Sequence, residues 1–176
     1  ILTDADFSGA QITRANFNLA TNFTQQQLYS TASYQQGNLR GTQLGYTNLT
    51  GWNFSGFNLT DAYFGGSTIY NTDFSDAIIL NADFGHTTMR GMTKALLYST
   101  ASYKAGDLRS VNFGYNDMTG WNFSNQNLAE ADFFNTVLTG SNLSGSNLQK
   151  NRFYSTSLTN TNLSGCDFRC STYLTD

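Results

Sequence analysis

A five-residue period governs this chain. Leu2, Phe7, Ile12 and Phe17 stand five apart; the spacing resumes at Leu39 and runs to Met89 through Phe54, Phe64, Phe74 and Phe84. A third run goes from Leu108 to Tyr173. The runs hold 4, 11 and 14 units, and the central residue is apolar or aromatic in all 29. An amphipathic helix needs a period of about 3.6 and a half-buried strand one of about 2, so neither describes the chain. What fits is a short unit repeated along the chain.

The flanking slots assign most of the polar composition. Two residues before the centre stands a small side chain in 21 of 28 units, as at Ala5, Ala77 and Ala82. One residue before it stands Asn or Asp in 18 of 29, as at Asn48, Asn53 and Asp132. Ser, Thr or Gly follow, then often Gly. Ala5–Gly9 (ADFSG) and Ser141–Gly145 (SNLSG) show the complete unit. The Asn or Asp can bond nearby backbone, and glycine accepts turn dihedrals. The chain has no proline, which suits a ladder that needs nearly every N–H.

This pattern resembles the pentapeptide-repeat family, written A-(N/D)-L-x-x. The resemblance implies an all-β fold, a right-handed quadrilateral β-helix with four pentads to a coil. At roughly 4.8 Å per coil, residues 1–176 form a single rod of about nine coils, about 40 Å long, whose core is a solid column of Leu and Phe.

The five-residue phase breaks twice, and both breaks contain LYSTASY, at Leu28–Tyr34 and Leu97–Tyr103. From Leu28 to Phe64 an offset of 69 gives 22 identities in 37 positions, including GWNFS at Gly51 and Gly120. The unit is duplicated. Each break predicts a short helix, over 24–36 and 93–105. Thr24 with Gln27 forms a capping box and Phe23 with Leu28 a staple; the second copy has Thr93 as cap and Met92 with Leu97 as staple, but Leu96 replaces the Gln. Gly37 and Gly106 stand where those helices end. The insert together with GWNF resembles a bacterial subset of the family associated with export and the cell surface.

Composition removes several functions. No apolar run approaches the roughly 20 residues of a membrane span, and net charge −3 leaves no basic footprint for nucleic acid. His86 is the one histidine and reads as a surface corner residue. Seven of the 12 acids occupy the slot before a centre, leaving Asp4, Asp61, Asp76, Glu130 and Asp176, too scattered for a metal cage. No phosphate-binding loop or CxxC is present, so catalysis, metal and cofactor are not expected. The family resemblance brings in DNA mimicry against gyrase, but five such acids cannot imitate one charge per ~1.7 Å. No unbroken Thr column supports ice binding. Six of the seven N-x-(S/T) sequons arise from the repeat, and the seventh, at Asn22, falls in the first break. Cys166 in an inward slot and Cys170 near a corner read as free thiols.

The departures from the repeat carry the functional expectation. Trp52 and Trp121 occupy the small slot, either packed beneath the helical insert or joined with outward Tyr46 and Tyr115 as an aromatic platform. Leu2 and Tyr173 are pentad centres at the two ends, without capping helix or charged tail. The leading expectation is therefore a non-enzymatic structural rod, extracellular or on the cell surface, self-associating head to tail or laterally into a fibre. The second is a module binding a protein or glycan through its aromatic and Asn/Thr faces.

Overall fold

The corner residue fixes the path of the chain. Two residues past each centre, from Asp4 to Cys170, the backbone turns to positive φ, with Gly, Asn or Asp at most of these positions. At most corners the amide three residues past the centre donates to the carbonyl of the centre, as Thr42 does to Leu39 and Ala62 to Leu59. Positive φ only at the third turn residue makes these type II turns. All 18 Asn and Asp residues in the slot before a centre accept the N–H two residues on, bracing each turn from outside.

Four such corners close a coil. The computed structural model describes residues 1–172 as a right-handed quadrilateral β-helix. Most sides contribute one bridging residue, paired in parallel with the residue 20 further on: Asn38 with Asn58, Asn48 with Thr68, Asn53 with Asp73. Sides are too short for regular strands. We number them in chain order by their centres: side 1 begins at Leu2, side 2 at Phe7, side 3 at Ile12 and side 4 at Phe17. Tyr173, the last expected centre, lies outside the described residues.

Two opposite sides line the lumen with aromatic rings. Side 4 supplies Phe64, Phe84, Phe113, Phe133 and Phe153, and side 2 supplies Phe54, Phe74 and Phe123, all buried. Rings on one side stack, as Phe64 on Phe84 at 5.2 Å, and rings from opposite sides meet edge to face, as Phe64 on Phe74 at 5.3 Å. The small inward slot also stitches coils together. Ser67, Thr72, Thr136 and Ser141 donate their hydroxyls to the carbonyl of a centre 23 residues earlier.

Asn151 departs from that rule. It occupies the same slot, fully buried, and both its Oδ1 and Nδ2 lack a partner. Asn151→Ser removes two unsatisfied atoms and offers a hydroxyl to the Leu128 carbonyl. It is expected to stabilise the fold by about 1–2 kcal/mol, a rise of roughly 2–8 °C in melting temperature. A lower melting temperature in a calorimetric scan contradicts this account.

The two inserts widen their coils. Asn16 pairs with Gln43, 27 residues on, and Asp83 with Asn112, 29 residues on. Each insert is a pair of helices instead of the single helix predicted: α1 (Gln25–Tyr29) with α2 (Ala32–Gln35), and α3 (Lys94–Ser99) with α4 (Ala101–Lys104). The breaks fall where Thr31 and Thr100 adopt extended backbone and cap a second helix. The capping box of Thr24 and Gln27 is formed, and Gly37 and Gly106 close Schellman motifs, with Asn38 bonded to Ser33 and Asp107 to Ser102.

The duplicated tyrosines replace a missing ladder. Tyr29 and Tyr34 stack at 4.1 Å. The Tyr34 hydroxyl donates to the Asn53 carbonyl at 2.7 Å and the Asn53 N–H donates to the Tyr29 oxygen at 2.7 Å. Tyr98 and Tyr103 treat Asn122 in the same way. Where helix has displaced backbone, two phenols satisfy the next coil's donor and acceptor. Burial beside its partner raises the Tyr34 hydroxyl well above the usual phenol range, and burial pushes Tyr103 up to about 12.

Candidate functional site: side 4 and its corner

The outward slot after the centre holds glycine four times, at Gly45, Gly65, Gly85 and Gly114, all on successive rungs of side 4. Glycine there leaves no side chain on the outer face, and neighbouring rings lie down on the bare backbone. A Cβ on Gly45 would stand 2.2 Å from the Tyr63 ring and one on Gly65 2.7 Å from it. At the corner beyond, a Cβ on Gly66 would stand 2.5 Å from the Tyr46 ring.

The corner column carries the rest. Tyr46, His86 and Tyr115 all adopt positive φ, where an aromatic residue is strained. Their rungs also lack the cross-turn bond that the other corners use: the Thr47 amide donates to Ser67 Oγ and the Thr87 amide to Asn116 Oδ1. His86 stacks on Tyr115 at 4.0 Å and 14°. Tyr115 meets Phe134 at 5.1 Å, Phe134 stacks on Tyr154 at 5.5 Å, and Arg152 lies 5.9 Å over Phe134. Positive φ costs about 1–3 kcal/mol at each of these three aromatic corners.

Two clefts share Tyr115. The larger, about 400 Å³, is lined by Tyr46, Gly66, His86, Met89, Arg90 and Tyr115. The smaller, about 290 Å³, is lined by Asn112, Gly114, Tyr115, Asp132, Phe134 and Arg152. Between the rows runs a polar strip. Asp83 accepts the Gly85 N–H and the Asn112 amide, and burial outweighs both to hold its carboxyl above the usual range. Burial, with the Tyr46 hydroxyl and the Asp83 carboxylate nearby, pushes the Tyr63 hydroxyl up to about 12.

Met89 reaches the cleft because the repeat fails there. Although five residues after Phe84, it is 89% exposed and Met92 fills the lumen instead. The second widened coil has two residues more than the first, and the surplus forms a 3-10 turn, Thr88–Arg90. Buried Asn116 clamps this turn: its Oδ1 accepts the Thr87 and Thr88 amides, and its Nδ2 donates to the Phe84 and Phe113 carbonyls. Tyr70 donates its hydroxyl to the Met89 carbonyl.

The expected aromatic platform divides. Tyr46 and Tyr115 are exposed and in the row just described. Trp52 and Trp121 are buried at 6% and 7%. Trp52 meets Phe23 at 5.8 Å and Trp121 meets Tyr98 at 6.4 Å, so both indoles pack with residues of the insert segments and present no ring to a partner. Residues missed by sequence reasoning are Tyr63, Asp83, Met89, Arg90, Phe134 and Arg152, and His86 belongs with them. The signal that could have found them is the glycine run at every fourth pentad.

The family profile described as pentapeptide repeats matches the chain in eight copies, over residues 38–76, 58–91 and 131–169, more than half of its length. The chain belongs to the pentapeptide-repeat family. No curated protein matches it. Among solved structures, this pentapeptide-repeat chain is similar to Rfr23 from the cyanobacterium Cyanothece 51142, with 20% identity over 80% of this chain and 94% of that one and a TM-score of 0.37. It is similar to HetL from Nostoc sp. strain PCC 7120, involved in heterocyst differentiation regulation, with 21% identity over 74% of this chain and 61% of that one and a TM-score of 0.34. A trypsin-treated form of QnrB1, a plasmid-mediated fluoroquinolone resistance protein, shares 18% identity over 94% of this chain and 77% of that one, with a TM-score of 0.31.

Charge and membrane properties complete the surface. Among the described residues, Asp61, Asp76, Asp107, Glu130, Asp132 and Asp167 are each paired with an Arg or Lys, which breaks up any acidic stripe. Cys166 and Cys170 are unbridged. No helix among the described residues is long and apolar enough to cross a membrane, and no cluster of His, Cys, Asp or Glu among them could hold a metal.

Proposed function

We infer that this pentapeptide-repeat chain is a non-enzymatic recognition module whose side 4 and adjoining corner bind a protein partner. The observation that carries the reading is the run of four glycine rungs with aromatic rings laid over and beside it. Side chains held flat by stacking and by a fixed backbone lose little freedom on binding. Tyr and Arg dominate the row, and these are the residues that concentrate binding energy at protein interfaces. Six rungs from Tyr46 to Tyr154 span roughly 24 Å at ~4.8 Å per coil, the reach of about seven extended residues.

A random heptapeptide phage library selected against the purified chain tests this. Binding clones are expected from the native protein, with at least about tenfold lower recovery from a Tyr46→Ala/Tyr115→Ala double variant, since each ring removed costs on the order of 1–2 kcal/mol. A Ser124→Lys/Ser144→Lys control on side 2 leaves recovery unchanged. Equal recovery from the tyrosine variant overturns the reading, and tyrosine-dependent binding only to a glycan array transfers the surface to a sugar.

The fibre expected from the ends has less behind it. It depends on Leu2 and Tyr173 as paired end surfaces; Leu2 is half-buried in the first coil and Tyr173 is outside the described residues. An extracellular site remains part of that expectation.

A further inference from the structure

The widened second coil differs from the first at the place where side 4 gives way to side 1, and the difference has a chemical consequence. In the first copy, six residues lead from the side-4 centre Phe17 to the inward Phe23; in the second, eight lead from Phe84 to Met92. The surplus projects two side chains, Met89 and Arg90, over the Tyr46–His86–Tyr115 row. A turn clamped by a fully bonded, buried amide holds them there.

Arg90 is set apart from most basic residues of the molecule. Arg40, Lys104, Arg109, Lys150, Arg152 and Arg169 each form an ion pair, whereas Arg90 forms none among the described residues. The nearby carboxylates are already engaged. Asp83 bonds Gly85 and Asn112, Asp132 pairs with Arg152, and Asp117 accepts from the amide and hydroxyl of Thr119. A guanidinium at the rim of an aromatic cleft is therefore free to meet an incoming anion. Beside it Met89 offers a pliable apolar arm, which suits an apolar protein side chain and gives nothing to a hydroxyl-covered sugar. Met, Tyr and Arg are the types enriched in protein interfaces.

We propose that the cleft between Tyr46 and Tyr115 takes an aromatic side chain of an acidic segment in a protein partner, with a neighbouring carboxylate on Arg90. This rests on side 4 being a recognition surface and adds the chemistry of its occupant. The ring enters between Tyr46 and the His86–Tyr115 stack with Met89 closing over it, and the carboxylate forms a bidentate pair with the guanidinium.

The test is a charge swap read through the same phage library. Clones recovered on the native chain should carry Phe, Tyr or Trp within two residues of Asp or Glu. A synthetic peptide of the most enriched sequence should bind about tenfold more weakly to Arg90→Glu, the size of effect seen when one charge-assisted pair is removed and reversed. Selection on Arg90→Glu should enrich Lys or Arg beside the aromatic residue. Circular dichroism melting confirms that the variant is folded, and Arg90→Gln, which removes the charge without reversing it, should fall between the two. Tyr46- and Tyr115-dependent clones without acidic bias, or affinity indifferent to residue 90, overturn the charge assignment and leave the recognition surface standing. Loss of all tyrosine-dependent recovery overturns both.

Discussion

Phe64→Ala is expected to lower stability by about 3–5 kcal/mol, the cost of emptying a fully packed aromatic site, and melting temperature by roughly 6–20 °C. Phe64 is fully buried and has three aromatic neighbours: Phe54 at 5.6 Å, Phe74 at 5.3 Å and Phe84 at 5.2 Å. A lumen enclosed by four hydrogen-bonded walls cannot collapse inward without breaking its ladders, so the cavity stays open. The side-4 column already contains Leu44 in the same role, and Phe64→Leu should therefore cost only about 1–1.5 kcal/mol.

The location of the damage is as informative as its size. In a solenoid each coil contacts only its neighbours, so stability is nearly a sum of local terms. Hydrogen exchange in Phe64→Ala should accelerate for amides of the coils around Leu44, Phe64 and Phe84 and remain close to native at Phe133 and Leu143. Uniform acceleration along the rod would mean that the molecule opens as one unit, contrary to the neighbour-only picture. A loss below about 1 kcal/mol would mean that the walls had relaxed after all.

The fold was legible because one slot means one thing. A residue before the centre is Asn or Asp for a bond to the amide two further on, and that bond is present at all 18 such positions. Positive φ two residues past the centre explains the Gly, Asn and Asp found there. Trp52 and Trp121 were ambiguous because the small slot normally has no space for an indole; only the widened coil supplies it, and coil width is set by how the insert packs. The split of each insert into two helices depended on the backbone of Thr31 and Thr100, which no periodicity encodes.

The binding surface was half legible for a different reason. Tyr46 and Tyr115 were visible as outward aromatics repeated at the same offset. Met89 kept perfect five-residue spacing and read as core, yet the two surplus residues after Phe84 had already shifted the true inward position to Met92. Phase counting cannot detect an insertion that happens to leave an apolar residue on the beat. The glycines of side 4 carry their information only once every fourth pentad is aligned, because it is their vertical neighbours, Tyr63 and Tyr46, that use the space.

Gly91 ends the turn that carries Met89 and Arg90. Its φ is +111°, and an added Cβ would stand 2.5 Å from the Tyr70 nitrogen and 2.7 Å from the Ile69 carbonyl carbon. Both are backbone atoms of the preceding coil, so no side-chain rotation relieves the overlap. The Ile69 amide also donates to the Arg90 carbonyl at 2.7 Å, and that bond must lengthen if the turn lifts. Gly91→Ala is expected to cost about 2–4 kcal/mol, combining a forbidden dihedral with a backbone collision. The matching control is Gly120→Ala, at φ +68° with nothing within 4 Å of the new Cβ, where only the left-handed penalty of about 1–2 kcal/mol applies. Lifting the turn should also draw Met92 from the lumen and move Arg90 off the cleft. Gly91→Ala should then lose acidic-peptide binding to the same extent as Arg90→Glu, while Gly120→Ala keeps it. Equal melting temperatures for the two alanine variants would show that the turn is not pinned to the coil beneath, and with it would go the rigid presentation of Arg90 on which the acidic-partner assignment depends.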